Sequence, residues 1–232
     1  MIILKKLFFL YCSNANKYIY LNFIFTKLKN FFLKKKIKLE KRKHLKFLKR
    51  KLITHDYFSS HAYNFLNTIN KFKFCKYLEI GSFEGNSAMF VAKNFPNSKI
   101  YCVDNWIGTI EYEEDLKFSN VEKNFDLNML EFKNFTKFKL KSDDFFKTNQ
   151  IFFDVIYIDG YHKADQVLKD FINSWAVLNV KGIIIFDDYI WKFFDRIEDN
   201  PCYAINKYLN KIRKNSKILK VSNSQLFVQK IN

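Results

Sequence analysis

The chain opens with apolar stretches that never run far without a lysine. Lys5, Lys6, Lys17, Lys27 and Lys29 interrupt them, so none approaches the roughly 18 consecutive apolar residues of a membrane span. Over residues 28–52 the pattern turns basic, with Leu45, Leu48 and Leu52 at helical spacing. Beyond residue 52 short apolar runs alternate with longer segments of helical period. Residues 76–80, 99–103, 138–141, 153–158 and 182–186 read as strands. Residues 86–94, 121–135, 164–178 and 206–214 read as helices. The tail, 218–221 then 225–228, reads as a hairpin turned at Ser222-Asn223-Ser224. Such alternation predicts an α/β fold, a mostly parallel sheet with helices on both faces and one antiparallel strand from the closing hairpin. The expected division is a basic, partly amphipathic arm over residues 1–52 and one domain over 53–232.

Charge sharpens that division. Residues 1–51 hold 16 Lys/Arg and a single acid, Glu40, so the arm carries +15 of the net +17. The rest is nearly neutral. A basic arm suits an anionic membrane surface or a polyanion, and equally a solvated helix packed on its own domain. The apolar run at residues 7–11 is followed by no small-residue cleavage site, so a secretory signal is not expected. The expected location is cytoplasmic, peripheral at a membrane surface if the arm binds one. Cys12, Cys75, Cys102 and Cys202 form no CxxC pair, which argues for small buried hydrophobes rather than a zinc site or disulfides.

In open parallel sheets ligands bind beyond the carboxyl ends of the strands. The first strand ends in Glu79-x-Gly81-x-x-x-Gly85. Glycines there let the chain turn tightly and approach a ligand, and the next helix offers free N–H groups. The dinucleotide pattern G-x-G-x-x-G is absent, which disfavours a nicotinamide oxidoreductase. The second strand ends at Asp104, 23 residues after Gly81, where an acid can accept both hydroxyls of a ribose. The third leads to Ser142-Asp143-Asp144. The fourth gives Phe153-Asp154-Val155-Ile156-Tyr157-Ile158-Asp159-Gly160-Tyr161-His162, and the fifth Gly182-Ile183-Ile184-Ile185-Phe186-Asp187-Asp188-Tyr189.

Together, IGSFEG, VDNW, FDVIYIDGYH and GIIIFDDY, in order and suitably spaced over residues 57–230, resemble a small class I S-adenosylmethionine-dependent O-methyltransferase of methyltransferase family 24. The resemblance implies a Rossmann-like, seven-stranded sheet. It implies a cofactor site built from Glu79, Gly81, Ser82, Gly85, Asp104, Asn105, Asp143 and Asp159. Gly81 would pass under the methionine portion, Glu79 would orient the loop or a water near the cofactor's ammonium, and Asp143 would reach the adenine amino group. All five glycines, Gly108 and Gly160 among them, fall at strand ends or starts.

Asp159, Asp187 and Asp188 end neighbouring strands, and hard carboxylates gathered there suit Mg²⁺, which would chelate a hydroxyl acceptor and lower its pKa. Metal-dependent catechol-type O-methyltransferases place ligands at these strand ends but carry Asp-Asn at the second, where this chain has Asp187-Asp188. The alternative role for that pair is capping of the following segment. His162, three residues after Asp159, is the candidate general base, with a structural hydrogen bond as its alternative. Trp106 and Tyr189 are candidate walls of the acceptor pocket. The expected acceptor is a small-molecule or glycan hydroxyl, chosen by the loop 106–116, the arm and the segment after Tyr189.

Two rivals stand beside this reading. An RNA ribose methyltransferase would use the arm on phosphates. Base-amino methylation would want an Asn/Asp-Pro-Pro-aromatic motif after the fourth strand, where Asp159-Gly160-Tyr161-His162 stands. A non-catalytic protein on a methyltransferase fold is the other, since fold alone does not carry function.

Overall fold

The apolar runs pair into one sheet. In a computed structural model that describes residues 2–72, 74–108, 120–222 and 224–232, the strands are β1 (Lys76–Ile80), β2 (Lys99–Asp104), β3 (Phe135–Lys139), β4 (Phe153–Ile158), β5 (Leu178–Phe186), β6 (Ser216–Val221) and β7 (Leu226–Lys230). Their spatial order is β3-β2-β1-β4-β5-β7-β6. The first five run parallel, while β7 is antiparallel to both β5 and β6. Chain order reverses at β1, so the crevice beyond Ile80 and Ile158 lies at the topological switch point, where open α/β sheets bind ligands.

Strand alternation divides the core into two layers. Leu78 and Ile80 of β1 join one layer with Ile156, Ile158, Ile184 and Phe186. Tyr77 joins the other with Val155, Tyr157, Ile183 and Ile185. The first layer is covered by α1 (Ile2–Cys12), α2 (Lys17–Phe32), α7 (Ser142–Thr148), α8 (Ala164–Val177) and α9 (Pro201–Lys211). The second is covered by α4 (Ala62–Ile69), α5 (Asn86–Asn94), α6 (Val121–Met129) and the end of α3 (Lys34–Leu48).

The basic arm is therefore three helices packed on the domain, α1 and α2 against the first layer and the end of α3 against the second. Leu10, Ile19 and Phe23 are fully buried in the first layer. The contact face of α3 is His44 and Leu48, whereas Leu45 and Leu52 stay exposed. His44 Nε2 lies 2.7 Å from Asn86 Oδ1, and the Leu52 amide donates to Asn128 Oδ1 at 2.7 Å. Both contacts tie the arm to helices that flank the site.

Several boundaries differ from the pattern. The helix expected over 121–135 stops at Met129, because Asn134 is already held across the sheet. Its carbonyl accepts from the Ile100 amide at 2.8 Å and its side chain donates to Ser98 O at 3.0 Å. The strand after it thus opens at Phe135. Helix α9 starts at Pro201, whose fixed φ suits a first turn. The preceding Asn200 is buried and bonds the amides of Phe193 and Phe194 and the carbonyls of Phe194 and Arg196. Ser142 opens the short helix α7 rather than a loop, and α4 carried no distinct signal. Residues 109–116 of the expected acceptor loop and Asn223 of the hairpin turn lie outside the described residues.

Candidate active site

The β1 loop is shaped by two glycines in the left-handed region, Gly81 at φ +85° and Gly85 at φ +82°. Gly81 presses against the end of β4: a Cβ built there would lie 2.1 Å from the carbonyl oxygen of Asp159. Gly85 caps the start of α5. Three non-glycine residues share the left-handed region at strand ends: Phe83 after β1, Trp106 after β2 and Asp188 after β5. Such backbone is costly and persists where the surroundings over-determine it, often at functional sites.

Asp104 supplies that determination for two of them. One carboxylate oxygen accepts the Phe83 amide at 2.9 Å and the other the Trp106 amide at 2.7 Å. The Trp106 indole N–H then donates to the Phe83 carbonyl at 2.8 Å. Burial raises the Asp104 carboxyl above its ordinary value, and the amides hold part of that rise back. The Ser82 and Asn105 amides also act on this carboxylate.

The loops enclose a cavity of about 260 Å³, lined among others by Gly81, Asp104, Asn105, Asp143, Asp159 and Gly160. Asn105 bonds the Ile107 amide through its side-chain oxygen. At the far end Gln166 Nε2 lies 3.2 Å from each of Ser142 Oγ, Asp143 Oδ1 and Asp170 Oδ1. Burial pushes the Asp170 carboxyl up to about 6. Glu79 stands one layer behind the loop. It is fully buried, accepts the Tyr77 hydroxyl at 2.9 Å, and is raised by burial to about 7. Its place fits a support for the loop rather than a wall of the cavity.

A second cavity of about 340 Å³ adjoins the first and shares Gly81, Phe83 and Asp159 with it. Ser82, His162, Asp187, Asp188 and Trp191 also line it. One ligand atom from each of Asp159, His162 and Asp188 falls within 4.8 Å of the others. His162 Nε2 lies 3.5 Å from Asp159 Oδ1 and 3.7 Å from Asp188 Oδ2. Burial, and then the charge of Asp187, push the Asp159 carboxyl well above its ordinary range, with His162 acting the other way. Asp187 sits deeper: its carboxylate takes the Tyr157 hydroxyl and the Asp188 amide. The converging trio is thus Asp159, His162 and Asp188, with Asp187 behind it. Tyr189 is fully buried and bonds Asn206, so it supports the wall rather than lining it.

The sequence reading missed the other wall. His55, Tyr57 and Phe58, just past the arm, line the second cavity. Their segment is anchored by Glu84, which accepts the Thr54 amide at 2.7 Å and the Thr54 hydroxyl at 2.9 Å. The available signal was Asp56 three residues before Ser59, whose amide the Asp56 carboxylate accepts at 2.8 Å. Burial lowers the Lys6 ammonium of α1, and the charge of Asp188 offsets part of that.

Sheet order, the glycine loop and an acid at the end of β2 are the arrangement of the class I methyltransferase fold. Residues 78–189 match the sequence model of the family described as Methyltransferase domain, methyltransferase family 24. The chain is 29% identical over 128 residues to the uncharacterized protein R132 of Acanthamoeba polyphaga mimivirus, covering 54% of this chain and 56% of that one. It therefore spans little more than half the length of that relative. Among solved structures, the fold resembles MycE methyltransferase of the mycinamycin pathway, in complex with Mg, S-adenosylhomocysteine and mycinamycin VI. The TM-score is 0.56 at 14% identity, covering 77% of this chain and 51% of that one. It also resembles the O-methyltransferase TomG of Streptomyces achromogenes, in complex with S-adenosylmethionine. There the TM-score is 0.51 at 11% identity, covering 68% and 74%.

Proposed function

We propose that this protein transfers a methyl group from S-adenosylmethionine to a hydroxyl of a small molecule or glycan, assisted by a divalent cation such as Mg²⁺. The observation that carries the reading is the pair of adjoining cavities that share Gly81, Phe83 and Asp159. Methyl transfer is an in-line displacement, so donor and acceptor must meet end to end. The first cavity suits the donor: Gly81 gives its backbone room to approach, and Asp104 and Asp143 offer acceptors to ribose and adenine. The second suits the acceptor. Tyr57 and Trp191, rings on its wall, suit the faces of a sugar or aromatic ring.

Asp159, His162 and Asp188 form a donor set of two carboxylates and an imidazole, which fits a hard divalent cation. A cation held there would lower the pKa of the acceptor hydroxyl and fix its direction. The chain's own part is to hold the geometry and move the proton. The Tyr157 hydroxyl fixes Asp187, and Asp187 holds the Asp188 amide. His162 is the group positioned to take the hydroxyl proton where it does not serve as a ligand.

The test is transfer of labelled methyl from S-adenosylmethionine to a panel of catechol, macrolide-sugar and free-sugar hydroxyls, with Mg²⁺ or with chelator. Label in a hydroxyl acceptor, lost with chelator and in Asp188→Ala, is expected. Transfer to RNA riboses alone would move the protein to the rival class. Full transfer in chelator would remove the cation.

A further inference from the structure

We propose that the outer faces of α1 and α2, with the lysine run opening α3, form a docking surface for an anionic lipid bilayer. Helix α2 is apolar on two opposite sides. Its inner side, Ile19, Phe23 and Thr26, is buried on the sheet. Its outer side carries Leu21, Phe25, Leu28 and Phe32, each between 59% and 81% exposed. At about 100° per residue these four fall within about 60° of one another, opposite the inner stripe. Helix α1 repeats the arrangement. Phe9 and Leu10 face inward, and Leu4, Phe8 and Tyr11 are 68–74% exposed. The inner residues of both helices join one core layer, so both outer stripes turn away from the same side of the sheet. Clustered exposed aliphatic and aromatic side chains of this kind mark an interaction surface.

Charge selects the occupant. No acidic residue precedes Glu40. Lys5 and Lys29 flank the stripes, and Lys34, Lys35 and Lys36, all exposed, follow one residue after the exposed Phe31 and Phe32. An anionic headgroup layer over an acyl interior offers the complement to both features at once, with apolar side chains entering the interface and lysines meeting the headgroups. RNA would use the lysines but has no need of Leu4, Leu21 and Leu28. A second copy would bring two acid-free cationic faces together. Among the described residues no helix is long and apolar enough to cross a membrane, so the helices would lie along it. The proposal does not depend on methyl transfer.

The test is co-sedimentation of the full chain with vesicles of equal parts phosphatidylcholine and phosphatidylglycerol, with phosphatidylcholine alone as control. Two variants accompany it: Phe25→Ser with Phe32→Ser, and Lys34→Glu with Lys35→Glu and Lys36→Glu. All five side chains are exposed, so both variants should keep the wild-type circular dichroism and melting temperature. The expected result is binding to the anionic vesicles, weaker by about tenfold or more on the neutral ones and in each variant. Absence of binding to the anionic vesicles overturns the proposal, as does binding that neither variant weakens. A dimer abolished by the phenylalanine variant, without vesicle binding, would give the face to a second copy. RNA binding without vesicle binding would give it to nucleic acid.

Discussion

The carbonyl oxygen of Asp159 occupies the space that a side chain on Gly81 would need, 2.1 Å from where its Cβ would stand. The backbones at the ends of β1 and β4 thereby meet with no room for a side chain at position 81. Gly81→Ala must push the loop off Asp159 and also hold alanine at φ +85°, a conformation costing about 1–2 kcal/mol for a residue with a Cβ. The variant should melt earlier and bind S-adenosylhomocysteine about tenfold or more weakly. Unchanged affinity by calorimetry would show that the loop does not carry the cofactor.

Asp104 holds the amides of Phe83 and Trp106 with separate oxygens. Asparagine keeps one acceptor and turns an NH₂ toward the other amide. Asp104→Asn should cost about 1–3 kcal/mol of stability and weaken S-adenosylhomocysteine as well, read by denaturant melts and calorimetry. A loss of affinity without any loss of stability would mean that the carboxylate serves the ligand alone.

The acids after β5 should separate in their effects. Asp188 belongs to the converging trio, whereas Asp187 takes the Tyr157 hydroxyl behind it. Asp188→Ala should abolish Mn²⁺ binding, followed by calorimetry, and spare affinity for S-adenosylhomocysteine. Asp187→Ala should lower stability by about 1–2 kcal/mol by disturbing a buried hydrogen bond. Equal loss of cation binding in both would make Asp187 a ligand too.

Glu79 predicts a pH dependence. Burial raises its carboxyl from 4.5 to about 7, against the hydroxyls of Tyr77, Ser87 and Ser82. Below the lower value it is protonated in folded and unfolded chains alike, and its contribution to stability is fully present. As pH rises toward about 7 the unfolded chain releases the proton first, so that stability is lost, up to about 3 kcal/mol. Glu79→Gln has no such proton to lose. Its stability relative to the parent should therefore grow between about pH 5 and about pH 8 in denaturant melts. A constant difference would contradict the raised carboxyl.

Sheet class and the glycine loop were legible because they rest on local signals. Runs such as residues 153–158 and 182–186 are apolar enough to be strands buried on both faces, and Gly81 and Gly85 mark the turn. Asp104, Asp159 and Asp188 were legible because a parallel sheet gathers the residues that follow its strands. Residues paired across long separations were not. His55 and Tyr57 are held at the second cavity by Thr54 bonding Glu84 and Asp56 accepting from Asn86, each 30 positions away. Gln166 and Asp170 look like ordinary helix polar residues until α8 is laid beside Asp143. The inner face of the arm was hidden for a different reason: α2 is apolar on both sides, so periodicity alone does not say which side is buried. The different places of Asp187 and Asp188 depend on one hydroxyl, that of Tyr157, on a neighbouring strand.

In the proposed function the Gly81 loop and Asp104 hold the methyl donor. The direct measurement is calorimetric titration of the full chain with S-adenosylhomocysteine, alongside Gly81→Arg. Saturable one-to-one binding that Gly81→Arg abolishes is the predicted result. No binding by the parent chain, or binding that survives the arginine, would contradict it.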